Sequence, residues 1–174
     1  MVLRSGNSLV NEDLSFMTRA LELARRGRYS TQPNPCVGSV IVLDGKIVGE
    51  GHHEKAGDPH AEVIALGRAA ERAKGATAYV TLEPCCHTGR TPPCADRLIA
   101  AEVARVVYAT EDPNPRVAGG GAARLRAAGI EVDGAVLAQD AQKLNRGFFH
   151  RMKHGRPFTT LKIAMSLDGK IGLK

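Results

Sequence analysis

Apolar runs of strand length alternate with runs of helical period along most of the chain, and this alternation limits the fold more than any other feature. "VGSVIVLDGKIVGEG" holds two apolar runs around Asp44-Gly45, a strong hairpin signal. Ahead of it, Leu14, Met17, Leu21 and Ala24 recur at helical spacing, with Asn11 as a cap at the start and Gly27 at the end. "YSTQPNPCVG" reads as a loop, because prolines flank Asn34. "DPHAEVIALGRAAERAKG" predicts a helix with Asp58 as N-cap, Pro59 in the first turn and Gly75 as the stop. "TAYVTL" is a buried strand, and "TPPCADRLIAA" opens a helix with Thr91 as cap and prolines in its first turn. "ARVVYAT" (strand), "GGAARLRAAG" (helix), "IEVDGAV" (short strand) and "DAQKLNRGFFH" (helix) continue the alternation. The expected fold is α/β, a three-layer α/β/α sandwich whose mixed, mostly parallel sheet carries helices on both faces. From Arg156 the pattern changes: "RPFTTLKIAMSLDGKIGLK" reads as a strand followed by a turn. The expected organisation is one domain over residues 1–155, with 156–174 opening a second, truncated one.

A chain of 174 residues, 43% hydrophobic, buries a sizeable core and needs neither metal nor disulfides merely to fold. The net charge of +6 is densest at Arg146, Arg151, Lys153, His154 and Arg156. It suits nucleic acid, a small phosphorylated substrate or simply a solvated surface. Aromatic residues at 4%, with no Trp, weigh against a stacking platform for nucleic acid. The longest apolar runs, such as 37–43, are too short for a membrane, and the N-terminus lacks a secretory pattern, so the expectation is a cytoplasmic protein with no membrane partner. In a reducing compartment, Cys36, Cys85, Cys86 and Cys94 are ligands or core residues rather than disulfide partners.

His60, Cys85 and Cys94 form a candidate metal site. One imidazole and two thiolates suit zinc and leave its fourth position open, which is the pattern of sites that do chemistry. All three are expected at helix starts, where backbone N–H groups favour thiolate. Glu62, two residues after His60, is placed to act as a base. His60-Ala61-Glu62 followed by Pro84-Cys85 resembles the zinc deaminase signature H-x-E…P-C-x-x-C. It departs in one respect: position 88 is Thr, and eight residues lie between Cys85 and Cys94. Cys86, adjacent to Cys85, does not fit the same tetrahedron. A site that only holds the chain together, and no metal site at all, are the alternatives.

On "PNPCVG" (33–38), "GHHEKAGDPHAE" (51–62), "LEPCCHTGRTPPC" (82–94) and "DPNP" (112–115), the chain resembles the deaminase domain of the bifunctional riboflavin-biosynthesis deaminase/reductases. That domain is a diaminohydroxyphosphoribosylaminopyrimidine deaminase of cytidine deaminase-like fold. The resemblance spans about residues 12–155 and includes the long cysteine spacing. It implies His60, Cys85 and Cys94 as zinc ligands and Glu62 as the proton shuttle. It also implies Asn34 on the pyrimidine, His53, His87 and Arg90 facing the ribose phosphate, and Asp112 and Asn114 on the sugar hydroxyls. Cys36 and Cys86 are expected to be non-ligands. "LKIAMSLDGKI" is similar to the opening strand of the family's reductase domain, which is dihydrofolate reductase-like and uses NADPH. Because that stretch breaks off, no reductase activity is expected.

The implied activity is hydrolytic deamination to an aminouracil ribosyl phosphate and ammonia. The implied partner is a small phosphorylated pyrimidine, not nucleic acid, and a homo-oligomer is open because the fold family commonly self-associates. Two rival readings stand beside it: a tRNA or nucleoside deaminase of the same fold, and a non-catalytic zinc-stabilised interaction module.

Overall fold

A computed structural model describes residues 6–87, 92–115 and 117–171. Five strands, β1 (Gly38–Leu43), β2 (Lys46–His52), β3 (Thr77–Val80), β4 (Arg105–Tyr108) and β5 (Glu131–Asp133), form one sheet in the order β2-β1-β3-β4-β5. The helices are α1 (Gly6–Arg26), α2 (Ala61–Ala69), α3 (Cys94–Ala100), α4 (Gly120–Ala127), α5 (Ala138–Leu144) and α6 (Arg146–His154). The sheet is mixed as expected. Its parallel pairs are β3–β4 and β4–β5, while β1 pairs antiparallel with both β2 and β3.

Alternate strand residues feed two cores, as the two-residue period requires. Val40, Val42, Tyr79 and Val107 pack with Met17, Ala20, Leu21 and Leu23 of α1 on one face. Ile41, Ala78 and Val106 pack with Ala65, Ala69, Ala95, Leu98 and Leu125 of α2 to α4 on the other. Leu14, expected on the buried stripe of α1, is exposed. α2 lies directly on the backbone of β2: a Cβ on Gly49 or Gly51 would come within 2.2 and 2.5 Å of the Ala65 and Ala61 carbonyl oxygens. Those glycines let α2 approach the sheet closely. The hairpin turns at Asp44 and Gly45 with φ of 50° and 72°, the positive pair of a type I′ turn.

Several expected boundaries move. α1 begins at Gly6, so Asn11 lies within the helix and is not its cap. α2 begins after His60, with neither Asp58 nor Pro59 in it. His60 is extended there (φ −71°, ψ 160°). After Ala69 a short 3-10 helix, Ala70–Ala73, precedes the turn at Gly75. Prolines 92 and 93 precede α3 rather than filling its first turn, and the expected cap Thr91 lies outside the described residues. The single helix expected across 140–150 is two, α5 and α6, joined at Asn145. The strand expected after Arg156 does not form: among the described residues 157–165 has no strand neighbour, so its backbone has no ladder to join, and the turn at Ser166–Lys170 is what is built there. No helix among the described residues is long and apolar enough to cross a membrane.

One polar joint crosses the α1 face. Asp13 accepts from the Tyr79 hydroxyl at 2.7 Å and from Arg105 Nη1 and Nη2 at 2.9 and 2.8 Å, while Arg105 Nε reaches Asp133 at 2.8 Å. Burial pushes the Asp13 carboxyl up, but the bonds from Arg105 and Tyr79 prevail and hold it below its ordinary value. Asp13→Asn is expected to lower stability by roughly 1–3 kcal/mol at neutral pH. A depressed carboxylate contributes fully above its unfolded pKa, about 3.9, and loses that contribution as pH falls through its folded value. Urea midpoints should therefore show the gap between wild type and variant closing below about pH 4; a gap unchanged at pH 3 would contradict the assignment.

Candidate metal centre

Because β1 runs against β3, the loop entering β1 sits on the edge from which β3 and β4 exit. β2, antiparallel to β1, delivers His53 to that edge, where His53 N–H bonds the Val37 carbonyl at 2.9 Å. The loop from His53 to Pro59 then leads into the start of α2 on the same edge.

His60, Cys85 and Cys94 converge there, their donor atoms all within 4.8 Å of one another. His60 Nδ1 lies 3.1 Å from Cys94 Sγ and 3.7 Å from Cys85 Sγ. A tetrahedral zinc needs an N–S separation of roughly 3.5 Å; the two His60 distances bracket it, and a donor set of one N and two S is the kind zinc favours, so the group suits the ion with a shift of a few tenths of an ångström. Among the described residues the group has three members, and neither Cys36 nor Cys86 belongs to it. His60 and Cys94 do sit at helix starts, as expected. Cys85 does not: it lies in the loop after β3 and borrows the first amide of α3, Cys94 N–H, at 3.2 Å. The Cys85 thiol is held down to about 4, chiefly by its hydrogen bond with the Cys94 side chain and also by His60 and that amide, against the effect of burial. Cys94 is pushed up, first by the same bond with Cys85 and then by burial. His60 is raised, first by its bond with Cys85.

Glu62 is 4% exposed. Burial raises its pKa, and the neighbouring Cys85 charge adds to the shift. It shares a cavity of about 210 Å³ with His60, Cys85, Asn34, His53, His87, Asp112 and Asn114. All the described site candidates but the buried Cys94 line this one cavity; Arg90 lies outside the described residues. His53 Nδ1 donates to the Pro59 carbonyl at 3.1 Å, so its Nε2 accepts from the Asn34 side-chain amide at 3.1 Å. Its ring also meets that of His60 edge-on at 5.6 Å, and burial depresses its pKa. Asp112 Oδ1 accepts from Asn114 N–H at 2.8 Å, and burial raises its pKa.

Sequence reasoning missed Glu83 and Phe148, both of which line the cavity. Glu83 is 2% exposed and accepts from Gly119 and Ala122 N–H at 2.9 and 3.1 Å, fastening the start of α4 to the metal loop. Its place two residues before Cys85 was a usable signal. Phe148 comes from α6 and had no comparable signal.

The sequence model described as "Cytidine and deoxycytidylate deaminase zinc-binding region" matches residues 10–110. Riboflavin biosynthesis protein RibD of Escherichia coli (strain K12) is 60% identical over 162 residues, 93% of this chain and 44% of that protein. A solved structure of Acinetobacter baumannii RibD superposes with a TM-score of 0.90 at 57% identity, over 92% of this chain and 45% of that one. A Thermotoga maritima structure, titled a diaminohydroxyphosphoribosylaminopyrimidine deaminase/5-amino-6-(5-phosphoribosylamino)uracil reductase, gives 0.89 at 45% identity, over 94% of this chain and 47% of that one. The chain therefore spans less than half the length of these relatives.

Metal analysis should find about one zinc per chain in the wild type and near none in His60→Ala, Cys85→Ser or Cys94→Ser. Cys36→Ser and Cys86→Ser should retain it, since the Cys86 sulfur turns toward α4, 2.7 Å from where a Cβ on Gly120 would stand. Zinc lost equally from all five variants would refute this ligand set.

Proposed function

The chain belongs to the cytidine and deoxycytidylate deaminase zinc-binding family, and from that premise we propose that it hydrolyses diaminohydroxyphosphoribosylaminopyrimidine to the aminouracil ribosyl phosphate and ammonia, a step of riboflavin biosynthesis. One observation carries the reading: a buried carboxylate, Glu62, shares a cavity with two of the three zinc-type ligands and a ring of polar loop residues. The relatives named for riboflavin biosynthesis, and the one titled for this deaminase, support the choice of substrate.

His60, Cys85 and Cys94 would hold the zinc, which when bound supplies a Lewis acid that activates water near neutral pH. Glu62 takes the proton of the attacking water as a base. A C–O bond forms at the ring carbon as its ring C=N bond opens, and the C–N bond to the exocyclic nitrogen breaks only as that nitrogen is protonated. Glu62, now the acid, gives the proton to the departing nitrogen, and ammonia leaves. One group serves both steps best when its pKa lies near the working pH, and burial moves Glu62 in that direction. With one Nδ2 hydrogen bonded to His53, Asn34 has Oδ1 and its second Nδ2 hydrogen for an acceptor–donor edge of the pyrimidine. His87, Arg90, Asp112 and Asn114 take the ribosyl phosphate. His53, both ring nitrogens engaged, positions Asn34 rather than binding phosphate. A structural zinc module has no use for a buried Glu62 beside the site.

The four cysteines form no disulfide, which supports the cytoplasmic placement proposed for the protein. Residues 156–174 we assign to the opening of a second, reductase-like domain; Leu161, Ile163, Met165 and Leu167, on alternate positions, are all exposed.

Glu62→Gln should keep one zinc per chain and lower kcat by about 10²-fold or more. A variant with near-normal ammonia release would remove Glu62 from the mechanism.

A further inference from the structure

Asn145 joins α5 to α6 at the N-cap of α6, a place where an Asn side chain ordinarily accepts from the first turn of its own helix. Here it makes no such bond. The side chain is turned inward, 4% exposed, and pairs with the backbone of Cys36: Cys36 N–H donates to Oδ1 at 2.7 Å, and Nδ2 donates to the Cys36 carbonyl at 2.9 Å. This is the exchange a neighbouring strand would make, supplied by one amide from 109 residues away.

The loop it grips needs such a grip. Pro33 and Pro35 have no N–H, so the segment around Asn34 has few backbone donors with which to fix itself. Besides the Asn34 N–H bond to the Thr31 carbonyl at 2.8 Å, a further tie also comes from α6, where Arg151 Nη2 donates to the Pro33 carbonyl at 2.9 Å. Phe148 of α6 completes the contact by lining the cavity beside Asn34 and Pro35. Asn34 in turn reaches His53, whose other nitrogen holds Pro59, next to His60.

We propose that Asn145 is a positioning residue for substrate binding, holding the 33–36 loop in the posture that presents Asn34 to the cavity. The consequence for turnover rests on the proposed deaminase reading; the anchoring does not. α6 is then part of the binding machinery, although it lies outside residues 10–110, which the family model matches.

The test uses the zinc-loaded chain with Asn145→Ala and the milder Asn145→Asp, which keeps the acceptor for Cys36 N–H but sets a carboxylate against the Cys36 carbonyl. Leu125→Ala, in the core on the opposite face of the sheet, serves as a control for general destabilisation. Amide hydrogen exchange in the ligand-free protein reads the anchoring. Asn145→Ala should speed exchange over 33–37 by about tenfold or more while leaving β4 unchanged, with Asn145→Asp intermediate. Deaminase kinetics read the consequence: KM for the pyrimidine ribosyl phosphate should rise about tenfold, with kcat within about threefold and zinc content unchanged. Unchanged exchange over 33–37, an unchanged KM, or an equal KM rise in Leu125→Ala would each overturn the proposal. Should the wild type itself release no ammonia, the deaminase reading fails, and exchange over 33–37 alone decides the anchoring.

Discussion

The antiparallel pairing of β1 with β3 is the constraint on which the site depends. Ser39 opposite Val80 and Val42 opposite Thr77 fix the register, and Thr81 N–H extends it by bonding the Gly38 carbonyl at 3.1 Å. Were β1 parallel to β3, its entry loop would lie at the far edge, and Asn34 would stand a full strand length from Cys85. With β1 reversed, four connections open onto one rim: the loop before β1, the loop after β2, and the loops after β3 and β4. Binding at the carboxyl ends of parallel strands is general for open α/β sheets. Here the reversed strand adds a recognition loop to that rim.

Around this rim, several buried polar groups find partners in other loops, while Asp112 takes the nearby Asn114 N–H. Glu83 takes amides of Gly119 and Ala122, His53 takes Pro59 and Asn34, and Asn145 takes both backbone groups of Cys36. Each such group would be costly to leave unpaired, so each fixes one loop against another. Glu62 stands apart from this pattern in its surroundings: its charge is disfavoured by burial and by Cys85 beside it. A carboxylate kept in such a place is suited to carrying a proton, which structural scaffolding does not require.

The sequence was most informative where chemistry and periodicity coincide. The hairpin at Asp44-Gly45 was legible because only a tight turn with positive φ suits that pair between apolar runs. His60, Glu62, Cys85 and Cys94 were legible because metal ligands and a neighbouring carboxylate are rare together. Helix starts were less so. Asp58-Pro59 looks like an N-terminus, yet Pro59 holds His53 and the helix waits until Ala61, leaving His60 extended for the metal site. The break at Asn145 was read through although Asn145 and Gly147 are poor helix formers, because what fixes it is the side chain's bond with Cys36, far off in sequence. The apolar alternation after Arg156 was legible as a strand pattern, but a strand forms only against a neighbour, and here there is none within the described residues.

The most direct measurement is ammonia release by the purified zinc-loaded protein, offered the diaminopyrimidine ribosyl phosphate, cytidine and deoxycytidylate side by side. Release from the ribosyl phosphate alone is the result this account predicts. Equal release from cytidine or deoxycytidylate would contradict the substrate assignment, and no release from any of them would contradict the claim that this rim is a working deaminase site.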